Sequence, residues 1–426
     1  MNVLLIGSGA REHAIAWKLR QSPRLDDLII APGNPGTAEV GTNLSLSDGD
    51  FDAIAGACRE RKVDLVVVGN EDPLAAGLVD RLAVEGIAVF GPTRAAAEIE
   101  SSKVFAKELM GRHGIATASF QVFDDAVAAR EHIEAQDGPL VLKADGLAKG
   151  KGVIVTGSKA EALEALEAIM VRREFGAAGD RVVIEQRLSG REVSAHAFTD
   201  GRTVAHMPFS CDHKPVFDGD EGPNTGGMGA YSPPEWLGES TAQAIQSHVT
   251  EAAVAAMQVE GRPYRGVLYP GLMVTPDGTM VIEFNCRFGD PEAQALLPRL
   301  ESDLLEVLWA VANNRLHEIE LRWSADACVA VALASGGYPG SYETGLPIEG
   351  LSDIDRDALV FHAGTRRTDD GTLVTAGGRV LTVAATGDTV EQARAKAYRN
   401  VERIRFEGMH YRRDIGAAQS VRAQGT

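Results

Sequence analysis

The apolar residues of this chain change rhythm several times, and each change marks an element. Residues 1–7 form a nearly unbroken apolar run, the signature of a strand buried on both faces. Residues 9–20 then follow a helical spacing through Ala14, Trp17 and Lys18. Further apolar runs at 27–31, 64–69 and 87–91 alternate with helical stretches, which predicts an open, mostly parallel sheet ending near Ser101. A new helix opens at Lys103, with Ser101 or Ser102 as its N-cap.

Beyond that point the elements shorten. From about residue 120 to 186 two strand pairs flank an alanine- and glutamate-rich helix at 159–170, which predicts a small α+β lid. Residues 191–322 return to longer strands and an amphipathic helix over about 241–259. After Ser324, runs at 329–333, 359–363 and 378–384 predict mostly antiparallel strands closed by a helix from Thr389. The expected architecture is therefore α/β and α+β in several domains. A Rossmann-like parallel-sheet domain spans 1–101, a central domain spans 102–323 with its lid at 120–186 and its main sheet at 187–323, and a β-rich domain spans 324–426. Neither an internal repeat nor a low-complexity linker interrupts the pattern.

Composition narrows the classes. With 44% hydrophobic residues in 426 the chain can bury several cores. Sixty acidic against forty-two basic residues give a formal charge of −18, which argues against non-specific binding to nucleic acid or to an anionic membrane. Anionic ligands must then be met by local clusters of Lys, Arg and backbone N–H. Cys58, Cys211, Cys286 and Cys328 are scattered without a Cys-x-x-Cys pair, so neither a zinc site nor a disulfide framework is expected. His206, Cys211 and His213 likewise lack a second pair to complete a metal site. The N-terminus enters a strand directly, and no apolar run approaches the roughly eighteen residues of a membrane span. A cytoplasmic protein with reduced thiols is the expectation.

Two segments carry the chemistry. In residues 282–292, Glu283 and Asn285 alternate on an apolar strand and leave the same face. They make a hard oxygen pair suited to Mg²⁺, an ion that usually takes only one or two carboxylates and fills its other places with phosphate or water. Such a site asks for a nucleoside triphosphate; the plainer alternative is a solvated ion-pair loop. Upstream, residues 141–153 form an apolar strand carrying Lys143, then a glycine-rich turn with Lys149 and Lys151. Glycines let backbone N–H groups approach phosphate oxygens, and lysines supply charge. The spacing is not that of a P-loop, which disfavours a Walker-type NTPase. Alone the turn reads as a flexible hairpin; paired with the carboxylate-amide strand it becomes a phosphate flap facing a metal site.

Taken in chain order, these segments resemble the glycinamide ribonucleotide synthetase family of ATP-grasp ligases, from Val3 to about Ile415. The resemblance rests also on Gly7-Ser8-Gly9-Ala10-Arg11-Glu12-His13-Ala14, Ala31-Pro32-Gly33-Asn34-Pro35-Gly36-Thr37, Asp212-His213-Lys214 and, most specifically, Gly222-Pro223-Asn224-Thr225-Gly226-Gly227-Met228-Gly229-Ala230-Tyr231. It implies that the central domain is an ATP-grasp domain, and that ATP phosphorylates the carboxylate of glycine. The amine of 5-phosphoribosylamine then attacks the acyl phosphate, giving glycinamide ribonucleotide, ADP and phosphate, an early step of de novo purine synthesis. Mg²⁺, with Mn²⁺ as the alternative ion, and small-molecule substrates are implied; no nucleic acid or membrane partner is, and monomer and dimer are equally compatible. The amine is already a nucleophile and phosphate a good leaving group, so positioning and charge neutralisation should dominate. No catalytic nucleophile is assigned, since no serine or cysteine has a triad-like context.

Residue by residue, the resemblance puts Lys103 and Lys143 on the ATP phosphates, with Gly146, Lys149, Gly150, Lys151 and Gly152 closing over them. Glu185 and Leu188 match the hinge that meets adenine, Glu192 the carboxylate on the nucleotide ribose, and Glu283 and Asn285 the metal ligands. Arg287 is placed to neutralise the transferring phosphoryl group, a contact whose loss typically costs roughly 10²- to 10³-fold in rate. The first loop, Gly7-x-Gly9-x-x-Glu12, imitates a dinucleotide fingerprint without its third glycine. A helix N-terminus binds any phosphate, and the end of the second strand, running into residues 32–36, supplies no carboxylate for an NAD ribose. The resemblance turns Gly9, Arg11 and Glu12, with Gly33, Asn34 and Glu71, toward phosphoribosylamine. Asp212, Lys214 and Asp290 are candidates for the ribose or the two amines.

The chain departs from the family pattern at Asn70, where proline is usual, at Asp72 and Pro270, where alanine is, and at Cys211, where glutamine is. These touch the expected substrate cleft and leave the proposed ATP and metal residues intact. The nearest rival is another ATP-grasp carboxylate–amine ligase, against which 212–214 and 222–231 argue. An NAD-dependent oxidoreductase has only the first loop in its favour, and a non-catalytic nucleotide-binding regulator is disfavoured by the full set of flap lysines and metal residues.

Overall fold

The computed structural model describes residues 1–148 and 152–417. The N-terminal run becomes the strand Asn2–Gly7, whose Val3, Leu4, Leu5 and Ile6 are wholly buried, because helices cover both faces of its sheet. All pairings in this sheet are parallel. In sequence numbering its order is third, second, first, fourth, fifth, with Asn2–Gly7 between Asp27–Pro32 and Leu65–Val68. The order therefore reverses on either side of Asn2–Gly7, which opens a crevice beyond the carboxyl ends of these strands. Into it project residues 8–9, 33–36 and 69–71.

The segment over 120–186 is a four-stranded antiparallel sheet, ordered Phe120–Phe123, Val182–Gln186, Leu140–Ala144 and Val153–Val155. Its core, including Leu142, Ala162, Ile169 and Ile184, is separate from those of the rest of the molecule. Besides the predicted helix, observed at Lys159–Leu166 and continued by a π-helical turn, a second helix, Ala126–Ala135, covers it. That helix has an N-cap at Asp125, which accepts from Ala128 N–H at 2.8 Å.

The long strand Gly266–Thr275 organises the next sheet. Gly278–Asn285 pairs along one edge, while Arg191–Ser194 and Ala197–Thr199 share the other. The last sheet, with Ala327–Ala334, Arg379–Gly387 and Ala358–His362, is antiparallel and is closed by the helix Val390–Val401. Two strands from before residue 324, Cys211–Asp212 and Gly229–Ser232, complete it. This sheet is thus built across the boundary expected at 324. Its assembly draws the segments holding Asp212 and the glycine-rich loop 222–231 against the C-terminal part.

Candidate functional site

Glu283 and Asn285 lie at the end of Gly278–Asn285 and share a face, as their alternation requires. Asn285 is buried, and its amide Nδ2 donates to the Tyr269 carbonyl at 3.4 Å, which turns its oxygen the opposite way. Burial alone would raise Glu283, yet Lys214, Lys143, Lys103 and Arg287 outweigh it and hold the carboxyl below its usual range. A charged carboxylate beside an amide oxygen, on a rigid strand and ringed by cations, fits a divalent ion carrying phosphate. Among the described residues no group of three or more His, Cys, Asp or Glu is placed to hold a metal by itself. That is the division of ligands expected when phosphate supplies the remainder.

Lys103 owes its place to a cap. Ser102 ends the helix Arg94–Ser101 and caps Lys103–His113, accepting from Phe105 N–H at 3.1 Å and donating to Asp145 at 2.9 Å. Lys103 Nζ then donates to the Gly146 carbonyl at 3.0 Å, tying the helix start to the base of the flap. Lys143 is buried in Leu140–Ala144; its ammonium donates to the Ile282 carbonyl at 2.8 Å and pairs with Glu185. The flap residues Lys149, Gly150 and Lys151 lie outside the described residues. Gly146 and Gly152 flank them, and a Cβ at either would stand 2.8 or 2.7 Å from Ala178 or Ala148.

Glu185 is buried, and its two oxygens are divided between Lys143 and Lys107. Its carboxylate is thereby committed, so only its backbone is available to an adenine. Leu188 is half-buried in the link between the lid sheet and Arg191–Ser194. Glu192, exposed on that strand, stands 3.4 Å from Lys214, which is 3.7 Å from Glu283. Burial opposes the Lys214 charge, but Glu192, Asp212, Glu283 and Glu292 hold its pKa well above the ordinary value. Burial also lifts Asp212 to about 8 despite Lys214, with Glu292, Glu192 and Glu283 adding to the rise. Cys211, next to it, is buried with its thiol pushed up to about 12, so it stays neutral.

The crevice of the parallel sheet lies on the other side of Arg287. Gly9 caps the helix Ala10–Leu19, and its N–H donates to Glu12 Oε2 at 2.7 Å. The other Glu12 oxygen accepts from Arg11 Nε at 2.6 Å. Glu12 is almost wholly buried, and its carboxylate serves the loop rather than facing outward. Asn34 is similarly occupied: its Oδ1 accepts from Gly36 and Thr37 N–H, while its Nδ2 donates to the carbonyls of Ser8 and His362 at 2.8 Å each. Asn34 therefore shapes the 33–37 loop. Gly33 has φ +72°, and a Cβ there would run into Asn43 at 2.4 Å, so glycine is required for this turn.

Arg287 joins the two halves. Its Nε donates to Glu71 at 3.1 Å and its Nη2 to Glu100 at 3.0 Å, while Glu100 also accepts from Cys286 N–H at 2.6 Å. Arg11 Nη1 stands 3.9 Å from Glu71 and donates to the Phe288 carbonyl at 3.1 Å. Against burial, Arg287 and Arg11 draw the Glu71 carboxyl down to about 2. The result is an alternating row, Glu12, Arg11, Glu71, Arg287, Glu100, from the first loop to the end of the strand Gly278–Asn285. Arg287, expected to neutralise the transferring phosphoryl group, is oriented by these two carboxylates, Glu71 and Glu100.

Asp290 is held at both oxygens, by Gln294 Nε2 at 2.7 Å and Arg379 Nη2 at 2.8 Å. A Cβ on Gly9 would lie 3.8 Å from Asp290 Oδ2, so this carboxylate faces the first loop. Arg379 also donates to the carbonyls of Gly226, Gly227 and Asp290 at 2.7, 3.2 and 2.8 Å. Sequence reasoning missed Arg379, Glu100 and Lys107. Glu100 lies only three residues before Lys103, but nothing in its spacing set it apart from a solvated helical glutamate, and Arg379 opens a strand with no motif around it. At Asn70, one of the departures, the side-chain amide donates to Asp48 at 2.9 Å and ties residues 44–50 to the crevice.

A small antiparallel sheet bearing the buried Lys143 and a strand carrying Glu283 and Asn285, beside the crevice of a parallel sheet, is the arrangement of an ATP-grasp ligase. The chain is 35% identical to the crystal structure of phosphoribosylamine–glycine ligase from Thermotoga maritima, with a TM-score of 0.85 over 97% of this chain and 100% of that one. A biotin carboxylase from Campylobacter jejuni, 16% identical over 96% of this chain and 92% of that one, has a TM-score of 0.70 and shares the fold alone.

Within that class the chain belongs to the phosphoribosylglycinamide synthetase family, whose N domain matches residues 1–100, ATP-grasp (A) domain residues 101–293 and C domain residues 328–418. It is 49% identical over 418 residues to the phosphoribosylamine–glycine ligase of Halalkalibacterium halodurans, covering 98% of this chain and 97% of that one. It is 52% identical over 419 residues to the trifunctional purine biosynthetic protein adenosine-3 of Gallus gallus, covering 97% of this chain and 42% of that one.

Proposed function

We propose that the chain joins glycine to 5-phosphoribosylamine at the expense of ATP, with Mg²⁺ as the divalent ion. The observation that carries this reading is the approach of Lys103, Lys143 and Lys214 to Glu283, within one row of charges from the crevice that faces Gly9 and Asp290. Three cations around a two-ligand strand suit a nucleotide's phosphates, and the nearby crevice suits a second, phosphorylated substrate.

A glycine carboxylate oxygen attacks the terminal phosphorus of ATP and ADP departs. The amine nitrogen of phosphoribosylamine then attacks the carbonyl carbon, phosphate leaves and the nitrogen gives up a proton. Lys103 and Lys143 take up charge on the phosphates, with Lys149 and Lys151 of the flap assigned to the same task. Glu283 and Asn285 would hold Mg²⁺, which when bound neutralises phosphate charge and aligns the oxygens. Glu192 is assigned to the nucleotide ribose, and Leu188 with the Glu185 backbone to adenine. Asp212, Lys214 and Asp290 are assigned to the amines or the ribose of the second substrate. Gly9, with the loops that Glu12 and Asn34 shape, takes the sugar phosphate, and Arg287 lies between the two halves.

The test is ADP release by the purified protein with ATP, Mg²⁺ and glycine, with and without freshly formed phosphoribosylamine, together with detection of glycinamide ribonucleotide. Amine-dependent ADP release with that product supports the reading. ADP release that ignores glycine, or tight NAD binding, overturns it.

No helix among the described residues is long and apolar enough to cross a membrane. We assign the protein to the cytoplasm.

A further inference from the structure

The lid base holds one more buried cation than the reaction uses. Lys107, on the helix Lys103–His113, is only 2% exposed, and its ammonium pairs with one Glu185 oxygen while Lys143 pairs with the other. Lys107 Nζ also donates to Thr117 Oγ1 at 2.6 Å, and that hydroxyl donates to the Val281 carbonyl at 2.7 Å. Two ammonium groups around one carboxylate leave a surplus positive charge in a nearly water-free place. Burying an unpaired charge is costly, so the arrangement is completed by an anion.

We infer that Lys107 is a positioning residue: it is the fixed counter-ion of Glu185, and it frees Lys143 to turn to the nucleotide phosphates without stranding that carboxylate. The inference rests on the assignment of Lys143 to ATP made above. The geometry separates the two lysines. Lys107 is held by a threonine that is itself hydrogen-bonded to the metal strand, whereas Lys143 rests on the backbone of that strand, at Ile282, one residue from Glu283. Burial and the nearby Lys143 lower the Lys107 pKa to about 8 despite Glu185, as expected of a site that holds more positive charge than it can pair.

Without the Lys107 charge, Glu185 would hold Lys143 as its sole partner and compete with ATP for it. Lys107→Met should raise KM for ATP by about 10- to 100-fold, and Lys107→Arg should return it to within about threefold of the native value. Lys107→Gln keeps a donor for Thr117 but no charge; it should behave like Lys107→Met and carries the comparison if that variant does not fold. The decisive measurement is the double variant with Glu185→Gln. Removing the competing carboxylate should recover ATP affinity by about tenfold or more over the Lys107 variant alone.

A fold anchor would instead be spared by Lys107→Gln and made worse by the second substitution. The inference is overturned if Lys107→Met or Lys107→Gln binds ATP within about twofold of native protein, or if the double variant binds no better than the single one. Either result leaves the proposed function standing when the native protein still releases ADP with glycine and amine. Native protein that binds no ATP overturns both.

Discussion

A single methyl group tests the first loop. Gly9 has an extended backbone, φ −86° and ψ −178°, so alanine meets no conformational penalty there. Its added Cβ, however, would stand 2.8 Å from Glu12 Oε2, the oxygen that accepts the Gly9 N–H. Glu12 has nowhere to retreat, because Gly7 and Gly69 wall its stem so closely that a Cβ at either would lie 2.4 or 2.5 Å from Glu12 Cγ. The carboxylate must give up its cap or its Arg11 partner. A hydrogen bond to a charged group is worth about 1.5–3 kcal/mol, so Gly9→Ala should cost about 2–3 kcal/mol and lower Tm by several degrees. Displaced from Glu12, Arg11 also loosens its hold on Glu71 and Phe288, so the damage stays on the amine-substrate side. KM for freshly formed phosphoribosylamine should rise about 10- to 100-fold, while KM for ATP stays within about twofold, both read from ADP release. A variant that keeps its phosphoribosylamine KM, or loses ATP instead, would refute this division between the two phosphate regions.

Three further outcomes are expected. Glu283→Ala and Asn285→Ala should each lower kcat by at least about 10²-fold with little change in Tm, and Mn²⁺ should restore part of it; near-native turnover across a Mg²⁺ titration would sink the metal assignment. Arg379→Met removes an ion pair to Asp290 and three bonds to carbonyls. It should cut kcat/KM for phosphoribosylamine about 10²-fold and leave ATP binding alone, and an unchanged kcat/KM would show that Asp290 needs no such support. Burial, with His362 nearby, lowers His13 to about 3. The unfolded chain therefore binds the extra proton, and stability from this group is complete above about pH 6.5 and declines as pH falls below it. His13→Gln should thus make the loss of urea stability between about pH 7.5 and 5.5 smaller by about 1.3 kcal/mol, and an unaltered pH slope would show that this imidazole is not held neutral.

Four strands of the first sheet were legible because each is a short apolar run set by local sequence, whereas the edge strand Thr42–Asn43 is two polar, partly exposed residues and carries no such signal. The shared face of Glu283 and Asn285 was legible for the same local reason, since they sit two apart on one strand. What stayed hidden joins distant segments: Arg287 meets Glu71 across 216 positions, and Arg379 reaches Gly226 across 153. Two strands also left the middle segment for the C-terminal sheet. No spacing rule covers such pairs, because register within an element is a local property and an ion pair between elements is not.

The first loop was ambiguous for a different reason. Glycine followed three residues later by glutamate fits a phosphate loop, and the same offset is that of a capping box. Burial decides between them, and it turns Glu12 inward. Gly9 and Glu12 are then not two ligands of one substrate. The carboxylate fixes the helix start, and fixing it keeps the neighbouring backbone directed at the crevice. The same division of labour recurs at Asn34 and at Glu100. Short-range spacing pointed to the residues proposed to touch ligands, while burial and long-range charge identify the residues that hold them in place.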